Sequence, residues 1–375
     1  MKLIYLANIS VFGGWAHEIQ ITKMCEAFAG FEIGVELVVP KRRNEIKADP
    51  FDYYSIKRNF KITKLPCLDL CPGSDRSFYF WLRLISFLLA AKIYLFFKKF
   101  DILYTREQIV GLFFSKFILE IHTLPRVIKS FHKKIWRKAD KLLVLTSFIK
   151  QRLMDFGINK DKILVSPSGV DLKKFAVNIS KEEARKRLNL SEEKKLVGYT
   201  GMLRTMGIEK GIDTAIGAVK NLSKEILLVL VGGSQQDIDF YKEFARKLGI
   251  DDRIIFIGRV RHELVPLYLK AFDVLIAPFP ENEHYNFYMS PLKIFEYMAA
   301  SRPIIASDLP SIREILNKES ALLVKPSDVK DLTQGIKKIF NDRIFSEKIS
   351  QRALVDIKIY TWQKRAGNIL SFINK

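Results

Sequence analysis

Apolar runs of strand length alternate with helix-length amphipathic stretches along the whole chain. In the first half the strand-like runs are Lys2–Ala7, Gly34–Val39, Ile102–Tyr104, Leu142–Leu145 and Ile163–Val165. In the second half they are Leu196–Tyr199, Ile226–Val231, Ile254–Ile257, Val274–Ala277, Pro303–Ala306 and Ala321–Val324. Near-continuous apolar strands separated by helices imply parallel sheets covered on both faces. Two such blocks predict an α/β chain of two Rossmann-like domains facing each other across a cleft, with ligands at the carboxyl ends of the strands. Pro167, Ser168 and Gly169 break the pattern between Ser166 and Phe175, so the join is expected there, with domains of residues 1–170 and 171–359. A chain of 375 residues is also too long for one ordinary core.

One stretch breaks the alternation. Phe78 to Phe97 is twenty residues long with seventeen apolar, enough to cross a bilayer by length. Arg83 and Lys92 would each cost roughly 2.5–3.5 kcal/mol near the membrane centre. The run also leads straight into the buried-strand pattern at Ile102. A helix packed on a sheet, with one face available to lipid, is the simpler reading.

Charge adds a second clue. The net charge is +21, of which +13 falls in residues 1–170 and +8 in the rest. The excess clusters at Lys41–Lys64, including Lys41, Arg42 and Arg43, and at Arg126–Lys141, including Arg126, Lys133, Lys134 and Arg137. A positive face on the first half would attract an anionic membrane or a nucleic acid. Phe131 and Trp136, set among the cations of the second cluster, suit a helix lying on a membrane surface, and nucleic acid is the weaker reading. Three cysteines cannot make a disulfide scaffold, and five histidines without ligand spacing give no structural metal site. A strand pattern beginning directly after Met1-Lys2 leaves no room for a signal peptide, so a cytoplasmic location is expected.

Four segments carry candidate chemistry. Ser290-Pro291-Leu292-Lys293-Ile294-Phe295-Glu296 opens a helix after an apolar strand, with Ser290 as N-cap and Pro291 at the first helical position. A helix start and Lys293 suit a phosphate, and Glu296, one turn on, can accept two hydroxyl hydrogen bonds from a ribose. Tyr199-Thr200-Gly201, followed by Arg204 and Lys210, places two cations around a loop at a strand end, which suits a diphosphate. Glu120-Ile121-His122 puts a carboxylate and an imidazole at the end of another strand. Gly13-Gly14 lets backbone approach a ligand at a helix start, although it is not a dinucleotide fingerprint. Asp237-Ile238-Asp239 is read as helix-start acids rather than a metal motif.

In this order the motifs resemble glycosyltransferase family 4, whose members have the GT-B fold. The resemblance includes Gly13-Gly14, Tyr104-Thr105-Arg106, Glu120-Ile121-His122, Pro167-Ser168-Gly169-Val170-Asp171, Arg204 with Lys210, Gly232-Gly233, Ser290–Glu296 and the tail Tyr360-Thr361-Trp362. It implies a retaining transferase that uses a nucleotide sugar, such as a UDP- or GDP-sugar, with no cofactor or metal. Arg204 and Lys210 would neutralise the diphosphate leaving group, sharing its charge with Lys293 and the helix start. Glu296, matching the second glutamate of an E-x7-E motif, would hold the ribose. Gly13, Gly14 and Gly201 would border the nucleotide sugar, and His122 would lie against the donor sugar. The last helix, about 360–375, would cross back to the first domain.

The acceptor implied is a glycan or lipid-linked molecule in polysaccharide, lipopolysaccharide or glycolipid synthesis, handled on the inner face of the cytoplasmic membrane. Two positions depart from the pattern. Tyr288 stands where the first motif glutamate belongs, which puts the choice of sugar in question, and Ser301 replaces a usual glycine. Two other readings keep the same architecture: a nucleotide-sugar epimerase, and a non-catalytic partner subunit.

Overall fold

The computed structural model describes residues 1–9, 15–42, 48–70, 77–205 and 207–375. Two compact units emerge. Met1–Ser168 joins with Trp362–Lys375, and Gly169–Thr361 forms the other.

The first unit is built on a seven-stranded parallel sheet. Its strands are β1 (Lys2–Leu6), β2 (Gly34–Pro40), β3 (Lys61–Leu65), β4 (Ile102–Thr105), β5 (Ile118–Ile121), β6 (Lys141–Val144) and β7 (Ile163–Val165). Their spatial order is β3-β2-β1-β4-β5-β6-β7. The chain steps one way from β1 to β3, then returns to β4 and steps the other way. Right-handed crossovers therefore put the helices of the two legs on opposite faces, and leave a switch point at the carboxyl ends of β1 and β4. β3 is the strand that hydrophobic patterning misses. Among the described residues it pairs only with β2, and it carries Lys61 and Lys64 among Ile62 and Leu65, charges that blunt an edge strand's pairing with another chain.

The helix Ser77–Phe96 belongs to the second leg. Leu84, Phe87, Leu88, Ala91 and Leu95 are buried, and the buried Arg83 meets Asp69 at 3.5 Å. One face of this apolar helix is therefore core of the first unit. Beside it packs the short helix Val110–Phe113, and beside that the helix Ser130–Lys138. Here one expectation fails: Trp136 does not share a surface with Phe131. Residues five apart on a helix diverge by about 140°, so Phe131 is exposed while Trp136 is fully buried, its indole N–H donating to Gln108 Oε1 at 3.1 Å.

The second unit carries a six-stranded parallel sheet. Its strands are β8 (Lys195–Thr200), β11 (Ile226–Val231), β12 (Ile254–Gly258), β13 (Val274–Ala277), β14 (Ile304–Ser307) and β15 (Leu322–Val324). Between β8 and β11 lies a two-stranded hairpin, β9 (Arg204–Thr205) and β10 (Ile208–Glu209). The order β12-β11-β8-β13-β14-β15 puts the switch point between β8 and β13. Ser301, just past the helix Leu292–Ala299, adopts a left-handed conformation with φ of 56°. A side chain there costs roughly 1 kcal/mol relative to glycine.

Candidate active site

At the β8/β13 switch point, backbone packs too closely for side chains. A Cβ on Gly211 would come within 1.6 Å of the Pro278 carbonyl oxygen, just past β13, and one on Gly232 within 2.3 Å of the Gly201 carbonyl oxygen, just past β8. Both glycines have positive φ. These contacts draw the loops after β8, β11 and β13 together at one end of the sheet. The Thr200 backbone N–H donates to Tyr297 Oη at 2.8 Å, which fixes the helix Leu292–Ala299 against β8.

That helix starts one residue later than its sequence implies. Pro291 is the cap residue, with ψ of 127°, and Leu292 is the first helical residue. Proline's fixed φ suits either position, and its extended ψ here decides the matter. Lys293 consequently sits in the first turn and points across the end of β8. Its Nζ lies 3.5 Å from the Tyr199 ring centroid and 5.3 Å from that of Phe279. It would lie 3.2 Å from a Cβ on Gly201, so only glycine there leaves room for it.

The Lys293 ammonium is buried and has no hydrogen-bond partner among the described residues. Burial first, then the nearby Lys210 cation, push its pKa well below the ordinary lysine value. Lys210 is itself pushed down to about 8, chiefly by burial, with Asp237 pulling the other way. An unpaired buried cation is costly, and two side by side cost more. Arg204, on β9, stacks its guanidinium 4.7 Å from the Phe240 ring centroid. Its Nε is buried without a partner, and Nη2 reaches the Gly207 carbonyl only at 3.4 Å.

Glu296 lies one turn beyond Lys293. Its Oε1 accepts from His262 Nε2 at 2.7 Å, and His262 Nδ1 lies 3.1 Å from Lys174 Nζ. An ammonium can only donate, so Nδ1 is the acceptor and Nε2 carries the hydrogen given to Glu296. This chain holds one carboxylate oxygen and leaves Oε2 without a hydrogen-bond partner among the described residues. Neither His262 nor Lys174 is evident from the sequence, where each is an isolated polar residue.

Tyr288, in place of the first motif glutamate, ends a π-helical turn, His284–Tyr288. It donates to Glu283 Oε1 at 2.8 Å. A carboxylate is therefore held near the position that lacks one.

The first unit presents a different constellation at the ends of β4 and β5. Glu120 is buried and accepts from Arg365 Nη2 at 2.8 Å, from Gln20 Nε2 at 3.0 Å, from His122 Nε2 at 2.6 Å and from the Tyr104 hydroxyl. Burial alone would raise its pKa, but Arg365 and then His122 outweigh it and hold the carboxyl well below the usual range. Burial and then Arg106 push His122 down to about 4, against the opposing pull of Glu120. The ring is neutral at pH 7, with Nε2–H tied to Glu120 and a lone pair on Nδ1. Arg365 comes from the terminal helix Trp362–Ile373 and also donates to the carbonyls of Ser166 and Pro167.

The structure brings Gly201, Lys210, Lys293 and Glu296 together, places Ser290, Pro291 and Leu292 at the same helix start, and sets Arg204 on the adjoining hairpin. Gly13, Gly14 and Arg43 lie outside the described residues. Of the surface cations, Lys41, Arg126, Lys134 and Arg137 are exposed. Arg42 instead donates to Asn8 Oδ1 at 2.8 Å, and Lys133 lies 4.7 Å over the Phe156 ring.

Comparison with known proteins agrees with both units. The family described as "Glycosyltransferase Family 4" matches residues 17–174, and "Glycosyl transferases group 1" matches residues 180–355. An uncharacterised glycosyltransferase of Methanocaldococcus jannaschii is 24% identical over 233 residues, covering 60% of this chain and 57% of that protein. The lipopolysaccharide core biosynthesis mannosyltransferase LpsB of Rhizobium meliloti is 29% identical over 182 residues, covering 47% and 50%. The matched stretches thus span about half the length of these curated relatives. Among solved structures, Anabaena HepE in complex with UDP superposes with a TM-score of 0.74 at 15% identity, covering 100% of both chains, a likeness of fold.

Proposed function

The chain belongs to glycosyltransferase family 4, and we propose that it moves a sugar, with retention of anomeric configuration, from a nucleotide sugar to a membrane-associated glycan or lipid-linked acceptor. The observation that carries this reading is the Lys293 ammonium, buried without a hydrogen-bond partner among the described residues and within the electrostatic reach of Lys210. A diphosphate is the ligand whose charge would relieve both, and Arg204 adds a planar fork for its oxygens.

In this reading the three cations take up the negative charge that grows on the departing diphosphate, the part a divalent metal plays elsewhere. The free oxygen of Glu296 accepts from a ribose hydroxyl. The His122 lone pair accepts from a hydroxyl of the donor sugar. The acceptor oxygen bonds to the anomeric carbon as the bond to the β-phosphate oxygen breaks on the same face. The proton passes from the acceptor hydroxyl to that departing oxygen, so the nucleoside diphosphate leaves with it. No side chain is required as a nucleophile.

HepE holds UDP and LpsB is named for lipopolysaccharide core synthesis, which supports a nucleotide-sugar donor and a cell-surface product. The basic first unit supports an acceptor at the inner face of the cytoplasmic membrane. Incubation with UDP- and GDP-sugars and a lipid-linked acceptor tests the proposal. Nucleoside diphosphate release should vanish in Arg204→Ala and Glu296→Ala while both stay folded. Full turnover in both variants would remove the assignment.

A further inference from the structure

The helix Ser77–Phe96 has a second face. Opposite the buried side, Phe78, Trp81, Ile85, Leu89, Ile93 and Phe96 all face solvent, with exposures from 42% at Ile85 to 82% at Phe96. At 100° per residue they fall within an arc of about 120°, and at 1.5 Å per residue they form a stripe about 27 Å long. Patches of this kind on a monomer mark an interaction site.

The charge around the stripe indicates what it meets. Residues 77–100, 108–119 and 121–139, which supply the three helices packed side by side on this face, contain no aspartate or glutamate. Their exposed charges are all cations, among them Lys92, Lys99, Arg126, Lys134 and Arg137. Lys92 lies on the stripe itself, where its stem can run along apolar surface with its ammonium at the headgroups. An apolar stripe broken only by Lys92, in surroundings where cations outnumber the exposed Asp101 and Asp140 that follow these segments, suits neither a neutral partner nor a basic one.

Spanning is ruled out by the other half of the helix. Leu84, Phe87, Leu88 and Ala91 are core of the first unit, and Arg83 is committed to Asp69. We infer that this helix lies in the plane of an anionic bilayer, its apolar stripe sunk to the headgroup–acyl boundary and the neighbouring cations on the phosphates. For its purpose this rests on the membrane-acceptor reading, but it can be measured with neither donor nor acceptor present.

The test is flotation of the full chain with phosphatidylglycerol vesicles and with phosphatidylcholine vesicles, at 0.05 M and 0.5 M salt. Wild type should float with the anionic vesicles and be released by high salt. The triple variant Ile85→Gln/Leu89→Gln/Ile93→Gln, altered only at exposed positions, should lose at least tenfold in partitioning. Each of Lys92→Gln and Lys99→Gln should lose roughly fivefold. The triple variant should keep the wild-type circular dichroism and the same thermal shift with UDP or GDP, which separates lipid binding from folding and from the donor site. Three results overturn the inference: no flotation, flotation unchanged in the triple variant, or a wild-type dimer that the triple variant converts to monomer, which would make the stripe a subunit contact. A missing UDP or GDP shift alongside normal flotation would instead count against the transferase site and leave the membrane helix standing.

Discussion

Lys293 and Glu120 are both buried ionisable residues at the carboxyl end of a parallel sheet, and the protein treats them in opposite ways. Glu120 has four hydrogen-bond donors, two of them able to carry charge, and its carboxylate is stabilised within the folded chain. Lys293 has aromatic faces around it, a second cation nearby and no hydrogen-bond partner among the described residues. The first is a network that meets the carboxylate's charge from within the chain, although Arg365 Nη1 is buried without a partner among the described residues, and such networks hold geometry. The second is a site whose missing component has to come from outside. Burial of charge therefore does not by itself identify a ligand site. A buried ammonium with no acceptor among the described residues for any of its hydrogens is the stronger pointer.

Removing Glu120 should break the comparison most severely. Glu120→Ala leaves Arg365 buried and unpaired and detaches the terminal helix from the network. A loss of about 3–5 kcal/mol of stability is expected in urea unfolding. Arg365→Ala should reproduce most of that loss, since it strands the same carboxylate.

Acid should erode the same network. His122 binds a proton at about 4 in the folded chain but near its ordinary 6.5 when unfolded. Between those values the unfolded state holds more protons. Stability should therefore fall as pH drops from 6.5 to 4, by about 3 kcal/mol, and the term should be flat above 6.5. His122→Asn should remove that part of the slope in thermal melts run across the range.

On the other side, His262→Ala frees Glu296 from its tether. If the tether positions Glu296 for a ribose, affinity for a nucleoside diphosphate should fall about tenfold, roughly 1.4 kcal/mol. Affinity for inorganic pyrophosphate, which has no ribose, should stay unchanged. Equal losses for both ligands would mean that His262 only supports the fold. Smallest is Ser301→Gly, which relieves a left-handed serine and should raise stability by up to about 1 kcal/mol without touching either network.

Hydrophobic pattern exposes the parallel strands because strands buried on both faces must be nearly all Val, Ile and Leu. It misses β3, whose edge position requires lysines, and the two-residue strands β9 and β10, which are too short to carry a period. The cations of the second unit are legible for a related reason. Arg204 and Lys210 follow β8 within ten residues, and Lys293 opens the helix that follows β13, so the order of elements already brings them to one sheet end. Long-range partners are not legible. Arg365 meets Glu120 across 245 residues, and His262 meets Lys174 across 88 and Glu296 across 34. Local motifs mark Glu120 and Glu296, but no local signal marks Arg365, His262 or Lys174 as their partners. Trp136 shows the converse error, because a spacing of five joins one helix but not one face.

The most direct measurement is thermal unfolding of wild type and Lys293→Met, each with and without UDP or GDP. If Lys293 is built to seat an anion, the unliganded variant should melt higher than wild type, since methionine fills the same space without a buried charge. At a hundred times its dissociation constant, one of the two nucleotides should stabilise wild type by about 2.7 kcal/mol and the variant hardly at all. A variant less stable than wild type and shifted equally by nucleotide would contradict the account.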